Sequence, residues 1–230
     1  MRFFKGVVLS DELRNPEFAN ADYWFPEFQV VAELKCLTED LSKKEDFNKQ
    51  VAQLHASWVR KRLLPNMGET KTKLNFRAIP PQCAREFLNL VKKKLESSVI
   101  RKANRQIRET KAYMQAPSAQ GLLLIVNDGN FMFSPGVMTH MLARMMRGQY
   151  SSINSVIYFS VNEAVSIPGV KMPSLFWFDC ILPKRQPVSP AFRKGLQKAW
   201  MAHYSGLVPG LVFELGMKND PDIVDNIQFK

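Results

Sequence analysis

A carboxylate and a lysine stand two positions apart in an apolar segment of the chain. Glu33 and Lys35 lie within Phe28–Leu37, FQVVAELKCL, whose β-branched and apolar residues predict a strand. Residues two apart in a strand point to the same face, so the two side chains would lie together. Burying them has a desolvation cost, which a divalent cation would offset at the carboxylate.

Asp22 opens a short aromatic run, Asp-Tyr-Trp-Phe, that stops at Pro26. Pro26-Glu27 makes a tight connection, so this run and the following strand predict a hairpin that brings Asp22 near Glu33. Mg²⁺ prefers hard oxygen ligands, so we expect Asp22 and Glu33 to bind it and Mn²⁺ to substitute. The metal would activate water beside a phosphate, and Lys35 would position or deprotonate that water or neutralise the developing charge.

The other elements predict an α/β fold. Two buried-looking strands that bracket a helix indicate a βαβ unit and a mixed sheet. The predicted class is an α+β sandwich with a mixed central β-sheet flanked by helices. The predicted helices are 41–64, with Thr38 as N-cap, 80–114, either continuous or broken in its middle, 134–146 closed by Gly148, and 191–204. The predicted strands are 122–126, 155–161 and 174–182, and residues 66–79 are predicted to be a loop or a short irregular strand.

Asp22, ten intervening residues and then Glu33-Leu34-Lys35 on a strand resemble the PD-(D/E)XK, or restriction-endonuclease-like, superfamily. The resemblance covers roughly residues 22–161 and implies that fold, with the first acid at a strand start. It implies a Mg²⁺-dependent phosphodiesterase that cuts DNA rather than RNA, with a role in restriction or phage defence, and that can act as a homodimer. Many members carry a glutamine or lysine on the helix after the motif, and Gln106 is the matching position.

The chain departs from the family pattern in two places. Residue 21 is alanine, so the proline of the family name is absent. Many members use an acid on a preceding helix, for which Glu12 is the candidate here. We expect residues 1–230 to form a single nuclease-like domain, with a core of about 22–161 and a C-terminal extension of about 162–230 that the resemblance does not explain.

The same E-x-K triplet recurs twice, at 69–71 in a predicted loop and at 109–111 on a predicted basic helix. At both places we expect the Glu and Lys side chains to be ordinary surface charges, whereas Glu33 lies in an apolar strand. An alternative makes Glu33 and Lys35 protective charges on an edge strand. The chain would then be a non-catalytic nucleic-acid-binding or assembly module that retains a nuclease-like fold, with both residues exposed and separated from Asp22.

Charge favours a polyanionic partner. The chain has 32 Lys and Arg against 21 Asp and Glu, a net charge of +11, which indicates nucleic acid before a membrane. The polar side of the predicted helix 80–114 is either a phosphate-tracking face or simply a solvated one. The candidate nucleic-acid contacts on it are Lys92, Lys93, Arg101, Lys102, Arg105 and Arg108.

Several other classes of site and location are disfavoured. Three cysteines and three histidines are scattered, which argues against a disulfide framework and a zinc cluster. P-loop, GxGxxG and GxSxG motifs are lacking. No secretory or membrane-spanning segment is evident, so we expect a cytoplasmic protein.

Two further features have simple structural interpretations. Asp128, in Asp-Gly, predicts a turn, with an extra metal ligand as the alternative. The stripe Met138, Met141, Met145 and Met146 is expected to pack in the core.

Overall fold

A six-stranded mixed β-sheet is the centre of the computed structural model. The structure describes residues 4–13, 17–65, 79–147, 150–162, 165–166, 175–181, 185–207 and 228–229. The sheet contains β1 (Val7–Val8), β2 (Tyr23–Phe25), β3 (Val30–Leu37), β4 (Gln120–Asn127), β5 (Ser155–Ser160) and β7 (Trp177–Ile181), in the order β1-β2-β3-β4-β5-β7. β6 (Val165–Ser166) and β8 (Gln228–Phe229) form a separate antiparallel pair. The predicted mixed α/β class is confirmed.

The predicted hairpin is formed by β2 and β3. The two strands are antiparallel, with Tyr23 opposite Ala32 and Phe25 opposite Val30. A 3-10 turn, Pro26–Phe28, and Gln29 in the left-handed region at φ 52° join them. Because these residues are used by the turn, β3 begins at Val30 and not at Phe28 as predicted.

Parallel strands occupy the middle of the sheet. β3 pairs with β4 and β4 with β5 in parallel, and α5 connects β4 to β5, so the predicted βαβ unit is confirmed. β4 is buried along its length after Gln120, as its continuous apolar sequence predicts. The helices are α1 (Leu9–Glu12), α2 (Glu45–Arg60), α3 (Pro81–Leu95), α4 (Arg101–Tyr113), α5 (Pro135–Met145) and α6 (Pro190–Leu207).

Helix starts differ from the prediction in detail. Thr38 is not a helix cap; Asp40 accepts a hydrogen bond from the Ser42 N–H at 2.8 Å and opens a 3-10 turn before α2. A π-helical turn, Glu96–Ile100, joins α3 to α4, so the long predicted helix continues through a local widening. Most of the predicted loop 66–79, and the predicted helix stop at Gly148, lie outside the described residues.

The sheet has an apolar core on each face. Alternate residues of β3 enter different cores, so Val31 and Leu37 pack on the α2–α5 side and Val30 and Ala32 on the α6 side. Glu33 therefore shares the face of Val31, toward α4. The four methionines of the predicted stripe are all buried in the first core, which confirms their expected role.

β7 and α6, which follow residue 161, join the main sheet and the second core. β7 pairs with β5, and Phe192 and Leu196 of α6 lie in the second core. The expected C-terminal extension thus supplies the cover for one face of the sheet. Among the residues that the structure describes, no helix is both long and apolar enough to cross a membrane.

Candidate active site

Glu33 lies on an interior strand. β3 is flanked by β2 and β4, and Glu33 is only 1% exposed. The interpretation of Glu33 and Lys35 as solvated charges on an edge strand is therefore wrong. A buried acid needs compensation, and the side chains around Glu33 show what supplies it.

Lys35 and Gln106 form a polar chain beside Glu33. The Lys35 ammonium lies 2.5 Å from Glu33 Oε1 and donates to Gln106 Oε1 at 2.9 Å. Gln106 Nε2 in turn donates to the Asn20 carbonyl at 2.9 Å. Gln106 is half-buried, so this helix glutamine is not a plain surface residue. Its amide fixes the Lys35 side chain through the carbonyl oxygen and the loop before β2 through the amide nitrogen.

Thr110 gives α4 a second contact with that loop. Its buried hydroxyl accepts the Ala21 N–H at 2.8 Å, one helical turn after Gln106. Two neighbouring positions of one helix face therefore hold residues 20 and 21. This pair of contacts positions the next residue, Asp22, over β3.

Asp22 contacts β3 through its carboxylate. Oδ2 accepts the Leu34 N–H at 2.7 Å, just beyond the last β2–β3 pair, Tyr23 and Ala32. The hydrogen bond fixes the carboxylate against the strand that carries Glu33. The hairpin thus brings the two predicted acids to the same place.

The Asp22 carboxylate affects the pKa of Glu33. Burial is the main cause that raises this pKa to about 7; Lys35 acts to lower it and the adjacent Asp22 carboxylate acts to raise it. Glu33 Oε2 is buried and has no hydrogen-bond partner in the part of the chain that the structure describes. An orphaned buried oxygen next to a second carboxylate suits a divalent cation.

The protein ligands available to such a cation are few. The described residues contain no group of three or more His, Cys, Asp or Glu side chains that could hold a metal. Asp22 and Glu33 would therefore bind a cation together with waters or a substrate oxygen, an arrangement that Mg²⁺ tolerates well. Glu12, the candidate additional acid, is exposed on the four-residue α1 and joins no such group.

Asp128 belongs to a bend after β4. Gly129, which follows it, has φ 143°, and a Cβ there would lie 2.7 Å from the Thr38 carbonyl oxygen. The Asp128 carboxylate accepts a hydrogen bond from the Asn162 side chain. The predicted turn is confirmed, and no described ligand group of three places Asp128 with Asp22 and Glu33.

The basic candidates line α3 and α4 on either side of the π-helical turn. Five are exposed and Lys92 is half-buried, so these side chains are available to solvent. Arg108 lies 3.5 Å from the neighbouring Glu109 carboxylate. The exposure agrees with a phosphate-tracking face and equally with a solvated one. The exposed members are Lys93, Arg101, Lys102, Arg105 and Arg108.

Lys111 is not the surface charge that the third E-x-K triplet predicted. It is 9% exposed, donates to the Ser152 carbonyl at 3.3 Å, and burial lowers its pKa to about 8. Ala103, Ile107, Thr110 and Lys111 are the buried residues of α4. Thr110 and Lys111 follow the buried Ile107 by three and four positions, so they lie on the same face of the helix. This spacing was the sequence signal that would have identified both residues as buried. The copy at 69–71 lies outside the described residues.

No protein-family model, curated protein or solved structure compared with the chain gives a match.

Proposed function

We propose that this chain is a metal-dependent nuclease with a restriction-endonuclease-like fold, and that Asp22 and Glu33 are its metal ligands. The observation that carries the proposal is the buried Glu33 carboxylate, which has one oxygen on Lys35 and one without a hydrogen-bond donor among the residues that the structure describes. A structural salt bridge alone would leave that second oxygen with an uncompensated desolvation cost. A cation shared with Asp22 would remove the cost.

The neighbouring side chains have separate roles in this proposal. Asp22 is held against β3 by the Leu34 N–H, close enough to Glu33 to act on its pKa. Lys35, held by Gln106, places an ammonium where an attacking water or a phosphate oxygen would lie. When bound, a Mg²⁺ or Mn²⁺ ion supplies Lewis acidity, which makes a water more acidic and stabilises negative charge on phosphate. Gln106 acts through Lys35 and is a positioning residue.

The substrate class is supported by charge. The chain carries a net charge of +11, and the exposed cations of α3 and α4 offer contacts to a phosphate backbone. DNA is the substrate that the family resemblance favours over RNA. A restriction or phage-defence role in the cytoplasm, with the chain acting as a homodimer on duplex DNA, belongs to the same proposal.

The non-catalytic alternative expects Glu33 and Lys35 to be exposed and separated from Asp22. The burial of Glu33 and the effect of Asp22 on its pKa favour the catalytic proposal instead. An assembly module has no need to keep an unpartnered carboxylate oxygen in its interior.

Cleavage assays test the proposal. Supercoiled plasmid, linear duplex, single-stranded DNA and RNA are each incubated with the protein in Mg²⁺, in Mn²⁺ and in EDTA. We expect metal-dependent cutting by the wild type and a loss of at least about 100-fold in Glu33→Gln. Glu45→Gln is the matched control, because Glu45 forms an exposed pair with Lys49 on α2.

Two results would overturn the proposal. One is persistent cutting by Glu33→Gln at the wild-type rate, which would place the activity elsewhere or in a contaminant. The other is an absence of cutting on all four substrates by a folded, metal-loaded wild type.

A further inference from the structure

A pocket with two cationic side chains in its lining lies at the carboxyl-terminal part of α4. Its volume is about 600 Å³, and its lining includes Arg108, Lys111, Gln115, Ser151 and Ser152. Two of the lining residues are cationic, and none of the lining residues that the structure describes is acidic. The pocket is therefore positively charged and offers hydroxyl and amide hydrogen-bonding groups.

Lys111 enters this pocket from the protein interior. It is more than nine-tenths buried, and its ammonium donates to the Ser152 carbonyl at 3.3 Å. An ammonium has three donors, so a ligand with several acceptor oxygens can use the others. Burial lowers the pKa of Lys111 to about 8, and no acidic side chain among the described lining residues offsets its charge.

The wall that faces Lys111 is held firmly. The Ser152 N–H donates to Asn104 Oδ1 at 3.0 Å, so α4 contacts both backbone groups of Ser152. Gly121 packs so closely that a Cβ there would lie 1.9 Å from the Ser152 carbonyl oxygen. Binding to a pocket with fixed walls costs little reorganisation.

Arg108 lies at the open side of the pocket. Its side chain is 62% exposed, and its contact with Glu109 is 3.5 Å long. An exposed pair at this distance contributes little to stability, so the guanidinium can turn to an anion at small cost. Guanidinium and ammonium groups together are a common means of binding phosphate.

We propose that this pocket binds a phosphate group, with Lys111 and Arg108 as its cationic contacts. The phosphate comes either from a nucleic-acid backbone or from a free phosphate or small ester. The first source rests on the proposed nuclease function, since α4 also carries Gln106 and would then connect a backbone contact to the active site. The pocket itself does not depend on cleavage.

Calorimetric titration with inorganic phosphate, in EDTA at pH 7, tests the pocket without measuring any cleavage. We expect Arg108→Gln and Lys111→Met each to weaken binding by at least about tenfold. Lys49→Met, on an exposed lysine of α2, is the control and should bind like the wild type. Equal affinity in all four proteins, or no binding by the wild type, would overturn the proposal.

A second measurement uses the wild type only, so its outcome does not depend on whether Lys111→Met folds. In lysine-labelled protein, the Lys111 ε-methylene NMR signal should titrate at a higher pH when phosphate is present, because an anion favours the ammonium form. An unchanged midpoint would contradict the proposal. A short oligonucleotide that shifts the same signal assigns the pocket to nucleic acid; a shift with inorganic phosphate alone assigns it to free phosphate.

Discussion

The same Glu-x-Lys spacing occurs at Glu33 and Lys35 on β3 and at Glu109 and Lys111 on α4. The two pairs lie in opposite environments. In the strand, residues two apart share a face, and the charges meet at 2.5 Å. In the helix, two positions correspond to a turn of about 200°, so the side chains diverge. Glu109 contacts Arg108 near the surface, while Lys111 is buried against Ser152.

The comparison shows that the spacing has chemical meaning only together with the period of the element. The strand places Lys35 beside the buried Glu33 carboxylate and leaves one carboxylate oxygen without a hydrogen-bond partner among the described residues, which suits a cation. The helix buries a base in a pocket whose described lining residues include no acid, which suits an anion.

The largest expected effect comes from Lys35→Met. It leaves the buried Glu33 carboxylate without its cation and removes the group beside the reacting phosphate, so kcat should fall by at least about 100-fold. Glu109→Gln is the equivalent neutralisation on α4 and should leave kcat within about twofold of the wild type. Steady-state plasmid cleavage measures both, and similar losses in the two variants would refute the distinction.

The pH dependence of metal affinity tests the raised pKa of Glu33. Below about pH 7 a bound metal must displace a proton, so affinity should rise by about tenfold per pH unit and level off above pH 7. In metal-free protein the sign is opposite: the contribution of Glu33 to stability is greatest below its ordinary pKa of 4.5 and is lost as pH rises through 7. A metal affinity that does not change between pH 5.5 and 7 would contradict the assignment.

Gln106→Leu should have a smaller effect. It removes the acceptor of Lys35 and the donor to Asn20, so we expect kcat to fall by about tenfold with little change in KM. Gln53→Leu, on an exposed position of α2, is the control. A shifted pH–rate profile in Gln106→Leu would identify Gln106 as a positioning residue, whereas loss of stability alone would make it structural.

The smallest effect is expected from Thr110→Val. The variant keeps its shape but leaves the Ala21 N–H without an acceptor, which should lower the free energy of unfolding by about 1–3 kcal/mol and activity by a few fold. Thr139→Val is matched, because the buried Thr139 hydroxyl only donates to Gly136 in its own helix. Urea denaturation should show a clearly larger loss for Thr110→Val than for Thr139→Val.

Local strand and helix patterns predicted the βαβ unit, and the Pro26-Glu27 connection predicted the hairpin that places Asp22 near Glu33. The errors have local physical causes: the turn Pro26–Phe28 shortened β3, and Asp40 replaced Thr38 as the cap. These differences displace element ends by a few residues and leave the site intact.

Long-range contacts could not be predicted from the sequence. The bonds from Gln106 to Asn20 and from Thr110 to Ala21 join residues more than eighty positions apart. Family resemblance pointed to Gln106, but no local pattern indicated its partners. Lys111 was misassigned because a charged residue on a basic helix is ordinarily exposed, although its helical spacing from Ile107 marked it as buried.

Binding of Mn²⁺ to the metal-free protein at pH 8, followed by electron paramagnetic resonance, measures the proposed metal site itself. We expect one site per chain in the wild type and in Glu45→Gln. We expect affinities weakened by at least about tenfold in Glu33→Gln and Asp22→Asn. Equal Mn²⁺ affinity in the wild type and Glu33→Gln would contradict the claim that Asp22 and Glu33 form the metal site.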